Sequence, residues 1–252
     1  MSSKYIITII SLLACFGLHA DPLEKLLKAN DLYKSGDYSA AVMHYEQLIE
    51  EDGLRSPNLY FNLGNAYFKL TDYPSAILNY ERARKISPSD EDVQFNLELT
   101  NSRIEDKIET MPVLFYKRWF LSLRNSADQN SWAVLFLLAL FACGGFFIMF
   151  VQSGRSALKR LGFYGGLSTL IVSIFFLSLA FSMRKWQVYH QEAIVFAGSV
   201  SVKSSPVENG TGLFLLHAGT KVKIVDELGA WRRIRLADGN EGWMPAADLE
   251  LI

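Results

Sequence analysis

Between Asp21 and about residue 109 the apolar side chains fall at helical spacing. Leu23, Leu26, Leu27 and Leu32 form one run, and Leu59, Leu63, Tyr67 and Leu70 form another. Gly36-Asp37 and Thr71-Asp72 interrupt these runs as turns, and a second helix is expected after each. The segment GDYSAAVMHYE (36–46) returns as TDYPSAILNYE (71–81), so the region predicts a repeated helix-turn-helix. Ser89 is placed to cap a further helix through about Glu109, with Val93, Leu97, Ile104 and Ile108 along one side. From Ala193 the period changes to two, in Val200 and Val202, Val222 and Ile224, then Trp231, Ile234 and Leu236, with turn signals between. Short strands of that kind predict a small barrel.

Three stretches depart from both patterns. Ser131–Val151 and Leu161–Met183 are apolar and free of charge, long enough at about 1.5 Å per residue to cross the roughly 30 Å hydrocarbon core of a bilayer. Between them lies QSGRSALKR (152–160), with Arg155, Lys159 and Arg160 and no acid, as expected of a cytoplasmic loop. Lys117, Arg118, Arg124, Arg184 and Lys185 flank the spans on the other side, so charge alone leaves the orientation open. The third stretch decides it. Lys4, the apolar run Tyr5–Leu18 and the small residue Ala20 predict a secretory signal over residues 1–20, which places the segments before and after the hairpin outside the cytoplasm. Leu18 is bulky for a cleavage site and LLAC (12–15) resembles a lipoprotein box, so lipidation at Cys15 and an uncleaved anchor stand as alternatives to cleavage.

Composition narrows the chemistry. The 252 residues carry 25 basic and 26 acidic side chains, a balance that speaks against a nucleic-acid partner. The two cysteines, Cys15 and Cys143, fall in the signal and in an apolar run, so no disulfide framework is expected. The histidines (His19, His44, His190, His217) are scattered. No metal-ligand spacing, phosphate loop or nucleophile motif is present, so no cofactor, no metal and no enzymatic activity are expected.

From Pro57 the chain supplies Tyr60, Leu63, Gly64, Tyr67, Ala76, Tyr80, Ala83 and Pro88 at the positions of a tetratricopeptide repeat. Gly64 and Ala76 let two helices approach closely, the aromatics fill the space beside them, and Pro88 ends the second helix. The first repeat is degenerate: Ala29 serves for glycine and Ala41 and Tyr45 hold their places. On the first helix of each pair, where such repeats build a concave face for a protein partner, stand Asn30 and Tyr33, then Phe61, Asn62, Asn65, Phe68 and Lys69. Asparagines there resemble half of a carboxylate clamp, but the basic half is missing, since Asp92 and Asn96 stand at the third-repeat positions, and the general repeat pattern accounts for the asparagines better. Two repeats fall short of the three or so that stability usually needs, so support from another segment is expected. VLFYKRWFLSL (113–123) is a candidate for it, and is equally typical of a helix lying in a lipid interface.

The order VSVKSSP, LHAGTKV, GAWRRIRLADGNEGWM resembles a bacterial SH3 domain. Pro206, Gly219, Gly239 and Gly242 are expected at its turns and strand exits, and Trp231 and Trp243 in its core. Some SH3 domains of this type contact peptidoglycan peptides, which would instead give those tryptophans a binding role.

The domain order as a whole resembles the BatE family of the Bacteroides-aerotolerance group. The fold expected is a multidomain membrane protein: all-α tetratricopeptide repeats (21–110, repeats about 22–55 and 57–90, capping helix 90–109), an interfacial segment (111–130), a transmembrane α-hairpin (131–151 and 161–183, loop 152–160) and a small all-β SH3-like barrel (189–252). The resemblance implies a bacterial inner membrane with both flanking domains periplasmic. It also implies a non-enzymatic scaffold in a stress or aerotolerance complex, with von Willebrand-type Bat proteins as partners and a MoxR-type ATPase in the cytoplasm. The alternative is a cell-envelope sensor that binds peptidoglycan.

Overall fold

A computed structural model describes residues 22–252 apart from Thr110, Met111, Val113 and His190. The expected signal (1–20), with Cys15 and His19, lies outside the described residues, as does His190. The chain divides into two compact units, one ending at Arg55 and the other spanning Ser56–Ile252.

The first unit is a helix pair, α1 (Pro22–Ser35) and α2 (Tyr38–Glu50). Gly36, at φ +88°, supplies the left-handed residue that the tight turn needs, and Asp37 caps α2 by accepting from Ala40 N. Ala29, Ala41, Tyr45 and Leu48 are buried, whereas Leu23 and Leu27 are exposed. Lys25 Nζ closes the unit on Asp52 at 2.8 Å.

The second unit begins with α3 (Pro57–Lys69), α4 (Tyr73–Ile86) and α5 (Glu91–Asn101). Ser56 and Asp72 cap α3 and α4 through Leu59 N and Ser75 N. Tyr60, Leu63, Gly64, Ala76, Tyr80, Ala83 and Pro88 are buried and Tyr67 is half-buried. A methyl on Gly64 would stand 2.7 Å from the Tyr80 ring, so only glycine lets α4 lie this close to α3. Leu70, expected on the apolar stripe, is instead the exposed C-cap of α3.

The closing helix is shorter than its spacing suggests. It ends at Asn101, and residues 103–109 leave it as a turn and an extended strap. Thr100, Asn101 and Ser102 are weak helix formers, and the Thr100 and Ser102 hydroxyls turn back onto the carbonyls of Asn96 and Leu99. Ile104 and Ile108 thus point into other surroundings than Val93 and Leu97.

Next come α6 (Phe115–Asn125), α7 (Gln129–Gln152) and α8 (Ser156–Tyr189). Only Ser153, Gly154 and Arg155 separate α7 from α8, so Lys159 and Arg160 belong to the first turns of α8 rather than to a nine-residue loop. Gly162 explains the close packing of the pair: a methyl there would meet the Phe150 nitrogen at 2.7 Å. Gln129–Gln152 and Ser156–Lys185 are long and apolar enough to cross a membrane. None of the most apolar stretch of α7 is buried, and 17% of that of α8, so this is not the burial pattern of a soluble protein's core helices. Trp132 is buried at the opening of α7 against Leu179 and Ala180 of α8, with Phe120 and Leu123 of α6 packed beside it. Its Nε1 donates to the Arg124 carbonyl at 3.0 Å.

Seven antiparallel strands follow: β1 (Glu192–Val195), β2 (Ser199–Lys203), β3 (Gly212–His217), β4 (Lys221–Leu228), β5 (Trp231–Arg235), β6 (Glu241–Pro245) and β7 (Leu249–Leu251). Their order in the sheet is β3-β2-β6-β5-β4-β1-β7. One buried cluster draws Val195 from β1, Val202 from β2, Leu216 from β3, Val222 from β4, Ile234 from β5 and Met244 from β6. A single sheet that surrounds one cluster from so many strands has to curl, as an SH3-like barrel does. Gly242 sits where a methyl would come within 2.9 Å of the Lys203 carbonyl, and Gly239, at φ +96°, turns β5 into β6. Pro206 is half-buried in the link between β2 and β3.

Trp231 and Trp243 are not in that core. Both are half-buried and lie on the opposite face, because Ile234 and Met244 take the inward positions and the pleat sends residues an odd number of places away to the other side.

Candidate functional site

In the first unit the Tyr45 hydroxyl donates to Asn30 Oδ1 at 2.7 Å, and in the second the Tyr80 hydroxyl donates to Asn65 Oδ1 at the same distance. Each asparagine of a first helix thus holds the buried tyrosine of its second helix. Burial, with Tyr33 nearby, pushes the Tyr45 hydroxyl up to about 12, so it stays a donor. Tyr33 itself is raised by burial and by Tyr38, against which its ring packs at 5.3 Å. Phe61 packs on Tyr80 and Phe68 on Tyr73 at ring distances of 5.9 and 5.8 Å. Asn62 is half-buried and Lys69 exposed. Asn96 of α5 reaches Asn65 Oδ1 at 3.5 Å. Asn30 and Asn65 therefore brace their own helix pairs.

The support that the second repeat needs comes from the sheet. Glu81 of α4 is 4% exposed, and its carboxylate is held by Arg84 at 2.5 Å and by Lys221 of β4 at 3.0 Å. Lys221 also reaches Glu192 of β1 at 2.7 Å, so two carboxylates and two cations close on one another. The adjacent Arg82 donates to the Leu251 carbonyl and pairs with Glu250, while one turn along Lys85 donates to the Ile252 backbone oxygen.

The strap after α5 completes the junction. Asp106 accepts from His217 N at 2.8 Å and from the Thr220 hydroxyl at 2.5 Å, and its other oxygen faces His217 Nδ1 at 2.8 Å. Glu105 stands 3.4 Å from Nε2 of the same ring. Burial works to raise the Asp106 carboxyl, but the hydrogen bonds from His217 and Thr220 override it and hold the group below its ordinary value. The hydrogen bond to Asp106 raises His217, with the charges of Asp106 and Glu105 adding to it. Gly219, at φ +93°, takes Ile104 against it so closely that a methyl would lie 2.6 Å from Cγ2. Sequence spacing does not reveal any of these pairs. His217 and Gly219 are visible in it only as a turn.

The outer face of the sheet carries the two tryptophans. Register pairs Trp231 with Pro245, Arg233 with Trp243, and Trp243 with Lys203, so these side chains share one surface. Lys203 Nζ lies 5.3 Å from the centre of the Trp231 ring, within cation–π range. Arg233 and Arg235 both engage Glu241. Arg235, more than Arg233, holds that carboxyl below its usual range against the opposing effect of burial.

Among the described residues no group of three or more His, Cys, Asp or Glu is arranged to hold a metal ion.

Comparison with known families agrees with this division. Residues 26–91 match the tetratricopeptide repeat and residues 198–250 match the bacterial SH3 domain. No curated protein matches the chain. The class is thus a helical-repeat module and a bacterial SH3 module in one polypeptide, both of them folds that serve protein or peptidoglycan contacts, with two long apolar helices between them.

Proposed function

We propose that this protein is a non-enzymatic membrane scaffold whose repeats and SH3-like sheet recruit a protein partner on one side of a bilayer. The observation that carries this reading is the junction of Glu81, Lys221, Asp106 and His217. It ties a segment that precedes the apolar hairpin to a segment that follows it. If α7 and α8 cross the membrane, their flanks must then lie on the same side, which an even number of spans allows. The unburied apolar surface of α7 and α8 supports the spanning, since every backbone group of a helix is satisfied internally in lipid. The half-buried Phe61, Asn62 and Phe68 and the exposed Lys69 offer one surface to the partner.

The domain order supports a BatE-type role in a bacterial inner membrane, with von Willebrand-type Bat proteins as the partners and both modules in the periplasm. Reporter fusions after residue 109, within 153–155 and after 252 are expected to read outside, inside and outside. A final fusion that reads inside would overturn the arrangement. Crosslinking in native membranes followed by mass spectrometry is expected to recover a Bat partner, and recovery of the protein alone would remove the scaffold reading.

A second reading, a sensor of peptidoglycan peptides, is favoured by one feature, the outward Trp231, Trp243 and Lys203. Calorimetry of the full chain in detergent with muropeptides decides it. Saturable binding lost in Trp243→Ala would support the sensor, and flat titrations would exclude it.

A further inference from the structure

Helix α6 carries one apolar stripe with two different fates. Phe115, Trp119, Leu123, Tyr116 and Phe120 share an arc of about 140° of its circumference, and no polar residue interrupts that arc. The C-terminal members, Phe120 and Leu123, pack with Trp132, Leu179 and Ala180 at the opening of the apolar hairpin. The N-terminal members leave the hairpin: Phe115 is 84% and Trp119 66% exposed, and Tyr116 and the preceding Leu114 are open as well. The other side of the helix is turned elsewhere. Lys117, Leu121 and Arg124 line a cavity of about 640 Å³ whose further walls include Glu81 and Arg84 of α4 and Leu97 of α5. One face of α6 thus meets the repeat, while half of the opposite face is bare. Contiguous exposed aromatics of this kind mark an interaction surface.

Position says what covers it. Leu179 and Ala180 lie about one helical turn before Arg184, the charge that closes the apolar run of α8. Phe120 and Leu123 therefore meet α8 roughly 6–8 Å to the apolar side of that charge. If α7 and α8 span a bilayer, this level is the boundary between acyl chains and head groups, where tryptophan and tyrosine collect. The bare part of the stripe continues directly from the part seated on the hairpin, so the medium that bathes the hairpin reaches Phe115 and Trp119 too. The charges of α6 suit that setting. The helix holds three basic residues and no acid, and the exposed Arg118 borders the stripe, where its stem can lie along lipid with the guanidinium in water.

We infer that α6 is a membrane-surface helix: Phe115, Tyr116 and Trp119 insert among the head groups and upper acyl chains around the hairpin, while the opposite face carries the repeat. The occupant of the stripe is the lipid surface itself. The helix then holds α4 and α5 at the level of the bilayer surface. The inference rests on the reading of α7 and α8 as spans.

The test reconstitutes the full chain in phosphatidylcholine vesicles and compares the wild type with Trp119→Phe, so that the difference in emission reports Trp119 among the five tryptophans. The site is exposed, so phenylalanine there should leave the fold intact. Bromine placed high on the acyl chains is expected to quench that difference by about half or more, and bromine near the chain ends by clearly less. Acrylamide in the water is expected to quench it little. Resistance of the same vesicles to alkaline carbonate is measured alongside. Resistance without bromine quenching would overturn the inference and leave the spanning intact; acrylamide would then assign the stripe to water if it quenches and to a covering protein if it does not. Stronger quenching from the chain ends would put Trp119 in the bilayer interior and overturn the surface assignment. Extraction by carbonate would remove the membrane reading and the inference together.

Discussion

Asp106 and His217, 111 positions apart, meet at 2.8 Å and fasten the strap that follows the repeats to the turn between β3 and β4. The same carboxylate also accepts from the His217 backbone and from Thr220, so one side chain serves three donors.

That contact makes the junction sensitive to pH. Asp106 is held below its ordinary 3.8, so its contribution is present above 3.8 and is lost as pH falls through the lowered value. His217 is held above its ordinary 6.5, so its contribution is complete below 6.5 and is lost as pH rises through the raised value. The strap is therefore pinned most firmly between 3.8 and 6.5. Hydrogen exchange of residues 103–109, corrected for intrinsic rates, is expected to show more protection at about pH 5.5 than at about pH 8.5. Asp106→Asn should flatten that difference, and an unchanged profile would show that the strap is held by other contacts.

Gly219→Ala adds a side chain at a positive φ and drives it into Ile104. The cost expected is about 2 kcal/mol or more in the unfolding free energy of the full chain in detergent. Ile104→Ala removes the collision but not the backbone strain. The double variant should thus be about 1 kcal/mol more stable than the two losses added together predict. Strict additivity would mean that Ile104 and Gly219 do not touch in solution.

Glu81→Gln keeps the shape of the side chain and removes the charge that Arg84 and Lys221 share. Those cations are partly exposed and can rehydrate, so the expected loss is about 1–3 kcal/mol, less than for a fully buried pair. The loss should shrink but not vanish in a chain that already carries Lys221→Met, because Arg84 still engages the carboxylate, and denaturant titration of the four species measures the coupling.

Met244 and Trp243 are neighbours with opposite fates. Met244→Ala empties a fully buried site and should cost about 2–5 kcal/mol, whereas Trp243→Phe on the outer face should cost less than about 1 kcal/mol. Acrylamide should quench Trp231 and Trp243 but leave Trp132 protected, measured on single-tryptophan variants. Protection of Trp243 would put it back in the core.

What the sequence made legible follows from short-range sterics. Gly64, Ala76 and Tyr80 declare a helix crossing because only small residues admit a close approach, and that requirement repeats at fixed spacing. The strands at Val200, Val222 and Ile234 declare themselves by alternation. The tryptophans went astray on size, although parity already placed them outside: Trp231 is three places from Ile234, and Trp243 is adjacent to Met244. The end of α5 was hidden because Ile104 and Ile108 keep helical spacing with Leu97 yet gain more from the sheet. The junction itself left no local mark, since Glu81 and Lys221 are 140 residues apart and a charged residue on a helix reads as solvated until its partner is known. Arg124 likewise has only the sequence mark of a charge flanking an apolar run, and the fold places it in a cavity wall.

The Glu81 contact also imposes an order of events on biosynthesis. Helix α4 leaves the ribosome before the apolar hairpin, and Lys221, Glu250 and the Leu251 carbonyl leave after it. During the whole interval the part of α4 that ends against the sheet is bare, and the Glu81 carboxylate lacks its Lys221 partner. The hairpin must therefore be handed to its final environment while the repeat is still half-built. Any factor that protects the nascent repeat has to release it when β4 arrives, which makes the closing strands of the sheet the timer for maturation of a module made long before them.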